Sequence, residues 1–120
     1  MRVTKFEDLV VWQKARDLAV MIYRATSHGR FARDAGLCGQ IQRAAVPVKS
    51  NIAEGFDRYS RAEFRQFLSI ARGSASEIRN YLHLAQALGY IPEEDHRLPV
   101  SHCMEVSRMT AALRSSLNRR

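Results

Sequence analysis

The sequence predicts an all-α fold of four helices, and three observations carry that expectation. Apolar residues recur at i, i+3 or i+4, and i+7 over four long stretches. Six Gly and three Pro among 120 residues are too few to punctuate a many-turned β fold. Helix start and stop signals stand at the breaks between the stretches. Hydrophobic residues make up 46% of the chain, enough for a core, and residues 1–120 read as a single domain.

The first helix is expected over residues 8–27. Val11, Ala15, Leu18 and Ile22 form its stripe, Trp12, Ala19 and Tyr23 widen it, and Gly29 breaks it. Glu7 and Asp8 suit the positive end of its dipole. The second is expected over residues 35–54, with Leu37, Ile41, Ala44 or Ala45, Val48 and Ile52 on one face and Gly55 closing it. Pro47 lies inside this pattern. Because the periodic phase survives across it, the expectation is one kinked helix rather than two.

Ser60-Arg61-Ala62-Glu63 is a capping box: the Ser60 hydroxyl accepts from the N–H three residues on and Glu63 reaches back. It opens the longest helix, residues 61–88. The core stripe there is Phe64, Phe67, Leu68, Ala71, Ala75, Ile78, Leu82 and Ala85, and Leu88-Gly89-Tyr90 is the stop. Pro92 at the first position and the acids Glu93, Glu94 and Asp95 announce the fourth helix. Pro99 is expected to interrupt it. Its stripe then runs through Cys103, Val106, Met109 or Thr110, Leu113 and Leu117 to the basic pair Arg119-Arg120.

The net charge is +7, from 16 Arg and 3 Lys against 12 acids. A positive, Arg-rich surface attracts polyanions, because the guanidinium fork matches phosphate. The same residues could equally solvate helix faces. Cys38 and Cys103 stand far apart and outside any CxxC pattern, which argues against disulfides and zinc and suits a reducing cytosol. The charged start has no secretory h-region, and no uncharged apolar run approaches 18 residues.

Two faces of the third helix invite a functional reading. Arg61, Arg65, Arg72, Arg79 and His83 fall within about 40° of one another, a ridge about 33 Å long that could track several phosphates. No acid sits at i±4 from Arg72 or Arg79. Arg43, Lys49 and Arg58 are outlying contributors. The other face carries Gln66, Ile70, Gly73, Glu77, Tyr81 and Leu84. An interior glycine marks close approach of another backbone, either a crossing within the bundle or a subunit contact, and the extra apolar residues favour the subunit contact. Ile70, Gly73, Tyr81 and Leu84 are therefore the expected oligomer interface.

No catalytic, cofactor or metal residues are expected. A carboxylate-bridged metal bundle needs two Glu-x-x-His motifs, and only Glu93 to His96 matches, in a first turn taken as exposed. GxSxG, a phosphate-cradling glycine loop and HExxH are all missing. Lone histidines read as polar surface or capping groups. Glu54 and Glu77 sit beside small residues, where either could pair with Arg43 or another arginine across a helix interface.

FEDLVVWQKARDL at 6–18, QIQRAAVPVKSNIAEG at 40–55, SRAEFRQFLSIARGSASE at 60–77 and LGYIP at 88–92 together resemble the 23S ribosomal-RNA intervening-sequence protein family over nearly the whole length. The resemblance implies a left-handed up-down-up-down four-helix bundle that assembles as a ring-like homopentamer in the bacterial cytoplasm. Some members are encoded within insertions in ribosomal RNA genes, and related bundles are nucleic-acid-binding accessories of retroelement reverse transcriptases. It carries over no catalytic residues. Pro47 and Pro99 depart from the family pattern. The expected function is non-enzymatic binding of nucleic acid, structured RNA foremost, through backbone phosphates. The alternative is a scaffold or accessory subunit for another protein, with the basic surface serving only steering or solubility; no membrane role is expected.

Overall fold

The computed structural model describes residues 2–118, all of whose regular structure is helical. A single 3-10 turn at Phe6–Asp8 leads into α1 (Val10–Ala25), α2 (Gly29–Arg33), α3 (Ala35–Phe56), α4 (Arg61–Ala87) and α5 (Glu93–Ser116). The four long helices pack in a closed order: α1 on α3, α3 on α4, α4 on α5, and α5 back on α1. Their stripes meet in one core. Leu18, Ile22, Ile41, Val48, Ile52, Leu68, Ile78, Leu82, Cys103 and Val106 are fully enclosed there. An amphipathic helix owes most of its stability to such burial rather than to intrinsic propensity. Among the described residues, no helix is long and apolar enough to cross a membrane.

Several local expectations are corrected by packing. Gly29 does not end α1, which stops at Ala25. There the Thr26 hydroxyl donates to the Ile22 carbonyl at 2.8 Å. Gly29 instead opens the short helix α2 with φ +68°, and Phe31 anchors that helix in the core. Five residues are too few to show a periodic stripe, so α2 escaped the pattern reading. Tyr23 is 45% exposed and does not extend the core stripe.

Gly55 lies inside α3 rather than closing it. A Cβ there would stand 2.6 Å from Phe67 Cβ and 2.9 Å from Phe64 Cδ1, so this glycine lets α3 and α4 approach. At Gly73 a Cβ would meet nothing within 4 Å. The tight crossing inside the chain is therefore at Gly55, not Gly73.

Both prolines sit within continuous helices. α3 runs through Pro47, whose carbonyl accepts from Asn51 Nδ2 at 2.8 Å. α5 runs unbroken through Pro99, so the expected interruption does not occur. Each ring withholds one backbone N–H, but Pro99 is buried and adds apolar surface to the core. Pro92 is the residue before α5 rather than its first member. Arg119 and Arg120 lie outside the described residues.

The helix ends follow known capping chemistry. Ser60 Oγ accepts from Glu63 N at 3.3 Å, while the Glu63 carboxylate turns to Arg58 at 3.7 Å instead of completing the box. Asp34 caps α3 by accepting from Leu37 N at 3.0 Å. At the end of α4, Tyr90 N donates to Ala85 O and Gly89 N to Gln86 O, both at 2.9 Å, with Gly89 at φ +74°. That pair of bonds is a Schellman motif.

Candidate nucleic-acid interface

The arginine ridge of α4 lies along the seam with α5. Three contacts fix that placement. Arg65 Nη1 donates to the Leu117 carbonyl at the end of α5 at 3.3 Å, and Arg114 Nε donates to the Arg65 carbonyl at 3.3 Å. At the far end, His83 Nδ1 lies 3.1 Å from His96 Nε2. Arg72 and Arg79 share this flank at helical spacing and stand between the two anchor points. Both are exposed, and among the described residues neither forms an ion pair.

Acids are scarce along this seam. Between His96 and Leu117, α5 has one carboxylate, Glu105, and Lys14 of α1 binds it at 3.2 Å. Between Arg65 and His83, α4 has only Glu77, on the α3 side, where it lines a cleft with Gln40, Arg43, Pro47 and Tyr81. Arg114 of α5, exposed and bonded to the Arg65 carbonyl, adds positive charge at one end of the seam. Sequence reasoning did not single out Arg114, because one helix's periodicity does not reveal its neighbour's matching flank.

The other residues expected to bind nucleic acid are not brought into one patch. Arg65 is half-buried and already caps α5. Arg61 also has interactions within the chain. Arg58 pairs with Glu54 at 3.0 Å and Glu63 at 3.7 Å, and its guanidinium lies 5.1 Å from the Phe67 ring centre. The arginine that Glu54 meets is thus Arg58 one turn on, an i,i+4 pair at the helix end rather than a contact across a helix interface. Arg43 lies on α3 against the Gly39 backbone, and Lys49 is half-buried on α3.

The second face of α4 is open. Ile70 is 53% and Leu84 48% exposed, Gly73 stands between them without a neighbour, and Tyr81 is half-buried toward α3. His96, expected on the surface, is only 8% exposed and bonded to His83, because the first turn of α5 lies against the last turns of α4. Among the described residues no three His, Cys, Asp or Glu side chains form a metal-binding group. Cys38 and Cys103 are free and buried. Burial pushes the Cys103 thiol up to about 12, with nearby Arg79 pulling it slightly the other way.

The model of the 23S rRNA-intervening sequence protein family matches residues 7–112. Among solved structures, the chain is similar to a protein of unknown function from the S23 ribosomal protein family of Bacteroides thetaiotaomicron VPI-5482. The two are 26% identical with a TM-score of 0.79, and the likeness covers 87% of this chain and 97% of that one. No curated protein matches the chain.

Proposed function

Because the chain belongs to the 23S rRNA-intervening sequence protein family, we propose that it is a non-enzymatic, homo-oligomeric bundle that binds nucleic acid through backbone phosphates, structured RNA before DNA. The observation that carries this reading is the pair Arg72 and Arg79: exposed, without acidic partners among the described residues, and set on a stretch of the seam where the one α5 carboxylate between His96 and Leu117, Glu105, is bound by Lys14. Guanidinium groups in such a row hold phosphates at little desolvation cost and read no base sequence. The binding core is therefore Arg72 and Arg79, with Arg114 at one end of the seam.

The architecture we read is a left-handed up-down-up-down bundle. The closed packing order and short connections between successive long helices support it. Open apolar positions Ile70 and Leu84, flanking a glycine whose added Cβ would meet nothing within 4 Å among the described residues, support a subunit contact on α4. The family resemblance makes a pentamer the expected assembly. Two free, buried, distant thiols fit a reducing cytoplasm. That open strip also favours the second reading, a scaffold that docks another protein there and uses its charge only for steering.

Binding of structured RNA and of duplex DNA across a salt series separates the two. For phosphate binding, log affinity falls linearly with log salt, by about 0.7–0.9 per phosphate neutralised. Arg72→Glu with Arg79→Glu abolishes it while leaving the solution mass unchanged. Lack of affinity at low salt would sink the nucleic-acid reading and leave the scaffold.

A further inference from the structure

The His83–His96 pair does more than close a helix contact: we infer that it is a two-imidazole site for a borderline divalent transition metal of the Zn2+, Ni2+ or Cu2+ class. The two nitrogens come from different helices, His83 Nδ1 from α4 and His96 Nε2 from α5, and lie 3.1 Å apart. The ring centres are 5.0 Å apart and the planes cross at 49°.

These two distances agree with a single metal geometry. Metal–nitrogen bonds of about 2.0–2.1 Å opening at an angle of about 100° put the nitrogens about 3.1 Å and the ring centres about 5 Å apart. A straight N–H···N bond at the observed separation would hold the centres about 5.4 Å apart. The contact is therefore bent rather than straight, as two imidazoles sharing one ion would be. An angle near 100° lies between the tetrahedral and square or octahedral values, which Zn2+, Cu2+ and Ni2+ accept with imidazole ligands.

Burial divides the labour between the two residues. His96 is held at 8% exposure by the core behind it, whereas His83 is exposed and leaves the approach to the pair open to solvent. No third His, Cys, Asp or Glu completes the group among the described residues. The remaining positions fall to water or to a donor from another molecule. One turn away, Gln86 Nε2 donates to Glu93 Oε1, so a carboxylate on the same flank of α5 as His96 is already turned toward α4. Arg79, one turn before His83, opposes a cation and keeps the site to metals that bind imidazole strongly. Ca2+ and Mg2+, which need oxygen ligands, are excluded.

The test uses tag-free full-length chain titrated separately with ZnCl2, NiCl2 and MgCl2 by calorimetry, with Zn2+-dependent melting alongside. Saturable Zn2+ and Ni2+ binding is expected, with none for Mg2+, and a melting temperature that rises with Zn2+. His83→Ala, at an exposed position that folding does not require, should weaken Zn2+ binding at least tenfold and remove the rise. His102→Ala and His28→Ala should leave both intact. Equal Zn2+ affinity in His83→Ala and the parent, or no saturable binding in the parent, overturns the site and leaves a hydrogen-bonded pair only.

Discussion

The Tyr90 hydroxyl donates to the Asp34 carboxylate at 2.9 Å, joining the turn that follows α4 to the residue that caps α3. They are 56 positions apart in sequence. The Leu37 backbone N–H, followed by the Tyr90 hydroxyl, holds the Asp34 carboxyl below its ordinary range. The same bond pushes the Tyr90 phenol up.

A carboxyl with a depressed folded-state pKa stabilises the fold above its unfolded value of about 3.9, and that contribution is lost as pH falls through the folded value. Melting of Asp34→Asn should therefore fall below the parent near neutral pH and converge with it in acid. Equal gaps at both ends of a pH series of melting curves would show that the Asp34 charge is not linked to folding.

Gly55 and Gly73 give opposite outcomes on alanine substitution. Gly55→Ala forces a methyl onto Phe67 and should cost about 1–3 kcal/mol in denaturant unfolding. At Gly73 nothing in the chain objects, so the isolated protomer should gain up to about 1 kcal/mol from helix propensity. If a second copy packs on α4, the same Gly73→Ala change lowers the assembled fraction in sedimentation.

Ile70→Glu combined with Leu84→Glu should reduce the solution mass of the assembly while the helical circular dichroism of the protomer persists. Both side chains are about half exposed, so neither charge enters the core. An unchanged mass would move the subunit contact off this face.

Arg58→Ala should leave nucleic-acid affinity within about twofold of the parent, because two carboxylates already neutralise Arg58. Arg79→Ala should weaken binding by more and lower the salt slope by roughly one phosphate contact. Filter binding at two salt concentrations reads both.

At about pH 8, iodoacetamide should label Cys103 only when the chain unfolds, since the thiol is buried and its pKa stands at about 12. Mass spectrometry after native and denaturing incubations gives the comparison. Rapid native labelling would mean that α5 opens readily.

The sequence by itself determined the four long helices, most of their core stripes and the Ser60 cap, because helical period and capping are local properties of the chain. It also aligned Arg65, Arg72, Arg79 and His83 on one flank of α4. Tertiary structure decided what that flank faces. It committed Arg65 to the end of α5, left Arg72 and Arg79 without an ion pair among the described residues, and turned Arg58 to Glu54 and Glu63. It also made Gly55 rather than Gly73 the tight crossing, carried α5 through Pro99, and brought His96 against His83. A helical wheel orders residues around one axis. The contacts that give them a role depend on the distance and direction of a second axis, which packing alone sets.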